Sequence, residues 1–208
     1  MTVEALPSDS LAERRRAFVS YLYGLRTGLE STNPRRAAES RQALARLRRS
    51  FAGPRQEAEA YDVVFAHDPP QAEQEVWLLV AGLFALHPQP HPRKLARRSL
   101  GAAMGILVQR RGESVNRRFV QLVSVDPNGL PHYLRQAVQL LRAESVPVDY
   151  DQLLNDLLVL LRDSSRDDAA YRVRLSWARA TSTSPSAPSV LVAPMTHPPP
   201  LCDFRRKT

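Results

Sequence analysis

The chain has 208 residues, 43% of them apolar, with a formal charge of +8 and a sequence pI near 10.3. That length and apolar content suit one or two small domains with a true core and exclude a disordered polymer. The basic excess points to a polyanionic partner. The lone Cys202 excludes an intrachain disulfide, and the longest apolar run, Val76 to Leu86, is shorter than the ~20 residues a bilayer span needs.

Residues 1 to 9 read as loose and polar, with no secretory leader, so a cytoplasmic, reducing location is expected. Ser10-Leu11-Ala12-Glu13 has the form of a capping box. Leu11, Phe18, Leu22, Leu25 and Leu29 then mark one face of a long helix. Asn33-Pro34 starts a second helix with Ala43, Leu44, Leu47 and Phe51 on its apolar side. Gly53-Pro54 stops it, and a third helix runs from about Arg55 to Ala66. Asp68-Pro69-Pro70 is expected to cap a strongly buried helix containing Val76, Trp77, Val80, Leu83 and Phe84. His87 to Pro92 reads as an extended, Pro-rich connector. A fifth helix is expected over Arg93 to Val108, with Gly101 and Gly105 spaced for close packing.

Residues 114 to 161 carry the clearest pattern. Val115, Phe119, Leu122 and Val123 share one helical face, and Asp126-Pro127-Asn128-Gly129 breaks the chain, its glycine suited to positive φ. In the next helix Leu134, Val138 and Leu141 form the buried side. His132, Arg135, Gln139 and Arg142 form a polar, cationic ridge on the other. Asp149 is placed to cap a further helix containing Leu153, Leu154, Leu157, Leu158 and Leu161. A last helix over Asp167 to Ala180 offers Tyr171, Leu175 and Trp177 as contacts. Thr181 to Thr208 is rich in Pro, Ser and Thr and is expected to be disordered. About nine helices and no alternating strand run make the fold class all-α. The expected division is an N-terminal helical half over residues 1–92, a C-terminal bundle over 93–180 and the tail over 181–208.

No catalytic constellation stands out. His67, His87 and His91 fit no usual metal-ligand spacing, and the simpler reading is loop histidines. Asp149, Asp151 and Asp156 fit a small all-α hydrolase using metal-bound carboxylates, but Asp149 and Asp151 also suit a helix N-terminus. Trp77 and Trp177 hold core-like positions. No metal and no cofactor is expected.

The arginines are the stronger signal: 27 of the 29 basic residues are Arg. Arg forks onto phosphate and stacks on bases, although a GC-rich genome also favours it. One group on the second helix comprises Arg35, Arg41, Arg46, Arg48 and Arg49. A second comprises Arg117 and Arg118 with Arg135 and Arg142. A third, Arg93, Lys94, Arg97 and Arg98, falls at the expected start of the fifth helix, where positive charge is unfavourable to the helix and better explained by binding. Recurrence on separate helices is expected to converge on a shared groove that tracks nucleic-acid backbone without reading sequence. An alternative is a helical DNA-binding transcriptional regulator, with the turn at Asp126 to Pro131 as part of a helix-turn-helix.

An ordered series resembles a known family. Trp77, Leu83 to Pro88, Ser99-Leu100-Gly101, Arg117-Arg118-Phe119, Leu130 to Leu141, Asp149-Tyr150 with Leu153-Leu154 and Asp156-Leu157, and Val173 to Arg179 are similar to CasB, the small subunit of the type I-E CRISPR surveillance complex, Cascade. The resemblance covers roughly residues 10 to 180 and implies a non-catalytic all-α subunit. It implies two copies stacked head to tail, lying against the backbone subunits that coat the CRISPR RNA, with one copy meeting the large subunit. In that setting the guide supplies sequence specificity, and the small subunit stabilises the R-loop and holds the target and displaced DNA strands. The matched positions to carry over are Arg46, Arg48, Arg49, Arg117, Arg118, Arg135 and Arg142. The Pro-rich tail departs from the family and has no role in it.

Overall fold

The computed structural model describes residues 8–91, 98–162 and 167–183. Within them the chain forms nine α-helices and no strand. They are α1 (Ser8–Leu29), α2 (Pro34–Arg49), α3 (Pro54–Phe65), α4 (Gln74–Leu86), α5 (Leu100–Arg111), α6 (Glu113–Ser124), α7 (Leu130–Ala143), α8 (Tyr150–Leu160) and α9 (Asp167–Thr183). Short 3-10 turns at Ser50–Ala52 and Gln71–Glu73 lead out of α2 and into α4. The all-α expectation holds; α9 runs on to Thr183, which corrects the expected tail start at Thr181, and residues 184–208 lie outside the described residues. No described helix is long and apolar enough to cross a membrane.

The helix ends follow from side-chain chemistry. Asn33 Oδ1 accepts from the amides of Arg35 (3.0 Å) and Arg36 (3.4 Å), which would otherwise lack partners at the start of α2. Asp149 Oδ1 does the same for Asp151 (3.0 Å) and Gln152 (3.3 Å) at α8. Four expected boundaries are corrected. Ser10 lies inside α1, which is described from Ser8. Asp68 sits in the left-handed region at φ 49° just past α3 and pairs with Arg14 at 2.7 Å, so it does not cap α4. The cap of α5 is Ser99, whose Oγ accepts from the Ala102 amide, and the helix therefore starts at Leu100 rather than Arg93. Gly129 has φ −78°, so freedom of φ is not what it supplies. It supplies space, since a Cβ there would come 2.6 Å from Val125, while Asp126 Oδ1 accepts from its amide at 2.8 Å.

α4 is the axis of the packing. Its stretch from Val80 to Leu86 is buried without interruption. It packs against α2 and α3 on one side and α7 and α8 on another, while α5 lies against α9, α6 and α7. Gly101 lets α5 and α9 meet almost backbone to backbone: a Cβ there would stand 2.2 Å from the Trp177 carbonyl oxygen. One contiguous apolar cluster runs from Phe18 to Trp177. Both tryptophans are fully buried in it. Trp77 stacks on Phe18 with ring centroids 4.4 Å apart and donates to Glu73 at 3.1 Å. Trp177 donates to Asp156 at 2.7 Å. Tyr171, expected as a contact, is 63% exposed.

The Pro-rich connector is held by polar bonds. Buried Gln89 donates to the Val148 carbonyl and accepts from the Val148 amide, and the ring Nε2 of buried His87 lies 3.0 Å from the Val146 carbonyl oxygen. The side chains thus do for residues 87–89 and 146–148 what a strand pair would do with backbone alone.

Candidate nucleic-acid interface

The α7 ridge is built as its spacing requires. Leu134, Val138 and Leu141 are fully buried, and His132, Arg135, Gln139 and Arg142 are exposed on the opposite side. Seven residues separate Arg135 from Arg142, which places them about 10 Å apart along the helix. Neither forms an ion pair among the described residues. Arg135 instead stands over the Phe51 ring, 5.3 Å from its centroid. Arg142 lies close enough to His87 to help lower its pKa. Burial is the larger cause, and the carbonyl bond to Val146 opposes both.

One arginine of α2 joins them. Arg48 is exposed, and its Nε donates to the Ala85 carbonyl oxygen at 3.0 Å, close to the C-terminal end of α4. Gly82, one turn earlier on α4, receives the Phe51 ring, which is why a Cβ there would come 2.7 Å from it. Residues 82 to 87 of α4 and the following connector therefore organise three guanidinium groups from two helices: Arg135 through Phe51 and Gly82, Arg48 through Ala85, and Arg142 near His87.

The rest of the α2 group is spoken for. Arg35 pairs with Glu39 at 2.9 Å, Arg46 approaches Asp62 at 4.0 Å, and Arg49 meets Glu59 at 3.4 Å. Arg41 donates back to the Ala37 carbonyl at 3.1 Å. Arg117 and Arg118 are exposed on α6 and form no ion pair among the described residues. Arg93, Lys94 and Arg97 lie outside the described residues. Arg98 precedes the Ser99 cap, and its carbonyl accepts from the Asp149 amide at 2.8 Å. Its expected place on the first turn of a helix is thus corrected.

Two grooves between the described helices are lined by other residues. A groove of about 1300 Å³ between α4 and α8 is lined by Val76, Leu79 and Leu158, with Glu57 and Glu75 beside them, and it contains none of the candidate side chains among the described residues. A second, of about 810 Å³ between α1 and α8, also contains none of them.

The carboxylates of α8 have structural work. Asp149 caps the helix, and Asp156 accepts from Trp177. Burial raises the Asp156 carboxyl to about 6; the Trp177 bond opposes this and the nearby Asp149 charge adds to it. Among the described residues no group of three His, Cys, Asp or Glu side chains is placed to hold a metal. His67 packs against Tyr21 and Phe18, and His91 against Tyr23.

Sequence reading missed the supports of the ridge. Phe51 and Gly82 carry no charge, and the one available signal was a glycine inside an otherwise apolar helix, where it marks close approach. Arg110 and Arg111 also escaped the candidate groups. Both reach Glu144, Arg111 through Nε at 2.9 Å and Arg110 at 3.9 Å.

The described residues form an all-α molecule with exposed arginines on α6 and α7 that have no ion pair among them. Its relatives narrow this. The family described as CRISPR-associated protein Cse2 matches residues 43–180. A Cse2-family protein from Thermus thermophilus is 30% identical, with TM-score 0.60, over 81% of this chain and 97% of that one. CasB from Thermobifida fusca is 25% identical with TM-score 0.60 over the same shares. A chain of a CRISPR RNA-guided surveillance complex shares the fold at 22% identity and TM-score 0.62, over 83% of this chain and 96% of that one. Compared by sequence with curated proteins, the chain matches none. The chain belongs to the CRISPR-associated Cse2 family, to which the name CasB also refers.

Proposed function

We propose that this chain is the non-catalytic small subunit of a CRISPR RNA-guided surveillance complex, where it holds nucleic-acid backbone and stabilises the R-loop. Family membership and the shared fold with a chain of such a complex support the assembly. The observation that carries the binding role is the ridge itself: Arg48, Arg135 and Arg142 gathered along the end of α4, exposed, with no carboxylate partner among the described residues. Guanidinium groups held this way neutralise phosphates without selecting bases. Guide–target pairing replaces a DNA duplex of nearly equal stability, so a few backbone contacts are enough to tip the exchange. Arg117 and Arg118, exposed on α6 and without an ion pair among the described residues, are two further candidate contacts. Two copies stacked head to tail, against the backbone subunits on the CRISPR RNA and the large subunit, would lengthen the path for the target and displaced strands.

The direct test changes Arg135 and Arg142 together to Ala in the full chain. Circular dichroism stays unchanged, while affinity for single-stranded DNA and R-loop formation in the assembled complex both fall. Each lost phosphate contact lowers the slope of log affinity against log salt by about 0.7 on a single strand. Unaltered affinity and slope refute the assignment.

A further inference from the structure

We infer that Phe51 is a positioning residue for the ridge: its ring, seated on α4 through Gly82, pre-sets the Arg135 guanidinium in the orientation that meets phosphate. The inference rests on the proposed function above and names the device that organises its central cation.

Arg135 forms no ion pair among the described residues, and its one aromatic partner is Phe51, with the guanidinium carbon 5.3 Å from the ring centroid. A cation over an aromatic face is attracted to the ring's negative quadrupole, and unlike a carboxylate the ring leaves the N–H donors free for a ligand. A salt bridge would order the arginine but also neutralise it, as happens to Arg49 with Glu59. Phe51 orders it and leaves the charge available.

The ring's place is set by two further features. The 3-10 turn Ser50–Ala52, closed by Ser50 Oγ donating to the Leu47 carbonyl at 2.8 Å, turns the chain out of α2 so that Phe51 points back at α4. Gly82 then admits the ring, since any Cβ would lie 2.7 Å and 2.8 Å from two of its carbons. Gly82 also sits in a helix where an ordinary residue would be more favourable, and the approach of Phe51 is the reason it is tolerated.

The experiment measures binding of a fluorescein-labelled single-stranded DNA across a salt series. It compares the full-length protein with Phe51→Leu, Phe51→Trp, Arg135→Ala and the double variant Phe51→Leu/Arg135→Ala. A positioning role predicts that Phe51→Leu weakens binding about two- to fivefold. Phe51→Trp, which keeps an aromatic face, restores it, and Phe51→Leu adds nothing once Arg135 is gone, because the two act as one unit. Gly82→Ala, whose Cβ would displace the Phe51 ring and come 3.1 Å from Ser50 Oγ, reproduces the Phe51→Leu loss. The ring-current shift of the Arg135 Nε proton in NMR disappears in both. Equal losses from Phe51→Leu with and without Arg135, or a normal affinity for Phe51→Leu beside a weakened Arg135→Ala, overturn the inference alone. An inert Arg135→Ala overturns the interface reading and the inference with it.

Discussion

The N-terminal helices and the α5–α9 bundle treat arginine in opposite ways. In the first, arginines meet carboxylates: Arg14 with Asp68, Arg15 with Glu73, Arg46 with Asp62 and Arg49 with Glu59. In the second, Arg117, Arg118, Arg135 and Arg142 have no carboxylate among the described residues, with Arg110 and Arg111 on Glu144 as the exception. The tryptophans repeat the contrast. Each buried indole donates to an acid, but Glu73 also receives Arg15, whereas Asp156 has no arginine. Burial pushes the Glu73 carboxyl up, and the bonds from Arg15 and Trp77 with the charges of Arg15 and Arg162 overcome it, leaving its pKa lowered. At Asp156 burial prevails and the carboxyl rises to about 6. Most arginines named in the first region are paired, Arg48 being the exception, and those on α6 and α7 are not.

The sharpest way to break this comparison is at Glu73. Glu73→Gln keeps an acceptor for Trp77 but strands the half-buried Arg15, which should cost about 2–3 kcal/mol of unfolding free energy at neutral pH. Because the Glu73 pKa is lowered on folding, its stabilisation is present above the ordinary carboxylate range and is lost as pH falls through the folded value. The gap between variant and parent in thermal unfolding should therefore close on acidification. A constant gap from neutral to acid pH would place the loss in packing instead. Next in size is Arg135→Ala with Arg142→Ala, expected to lower affinity for single-stranded DNA roughly 30-fold, about 2 kcal/mol, since charge-assisted bonds are the stronger kind. The matched pair Arg46→Ala with Arg49→Ala should change it far less. Comparable losses from both pairs would erase the distinction between the regions.

Periodicity made the helices and their buried faces legible. Leu134, Val138 and Leu141 on α7 and Leu153, Leu154 and Leu157 on α8 lie inside as their spacing requires. The caps at Asn33 and Asp149 were legible because one side chain and two adjacent amides decide them. Asp68 and Gly129 were misread because proline and glycine signal a turn without fixing which φ it uses. Ser99 was not read as the cap because the four basic residues before it, Arg93, Lys94, Arg97 and Arg98, were read as the helix start. The site was only half visible. Spacing says which way a guanidinium leaves its helix, but not what stands opposite: Glu59 and Asp62 reach Arg49 and Arg46 from α3, and only the packing of α2 on α3 brings them there. Phe51 and Gly82 bear no charge to advertise a role.

Asp156 offers the opposite sign to Glu73. A carboxyl raised on folding contributes stability that is fully present below its unfolded value and is lost as pH rises through the folded one. Parent protein should lose roughly 1–2 kcal/mol from this group between about pH 4 and 6. Asp156→Asn keeps an acceptor for Trp177 and removes the titration. It should match the parent near pH 4 and exceed it by that amount at pH 7.5, with Trp177 fluorescence following the same transition. A variant less stable than the parent at pH 7.5 would mean the charged form is needed by the indole.

The smallest expected effect sharpens the comparison most directly, because it converts one region into the other. Glu59→Gln with Asp62→Asn leaves Arg46 and Arg49 in place but unopposed. Exposed ion pairs contribute little to stability, from nothing to about 1 kcal/mol, so unfolding should barely change. If an unpaired guanidinium is what the ridge offers, the freed arginines on the last turn of α2, beside Arg48, should raise affinity for single-stranded DNA two- to threefold and steepen its salt dependence. Removing two acidic side chains also lessens general repulsion of a polyanion. The control is therefore Glu13→Gln with Glu75→Gln, the same charge change at exposed acids on α1 and α4 that pair with no arginine among the described residues. A gain confined to the α3 pair ties affinity to the α2 arginines, and an equal gain from both pairs reduces it to net charge.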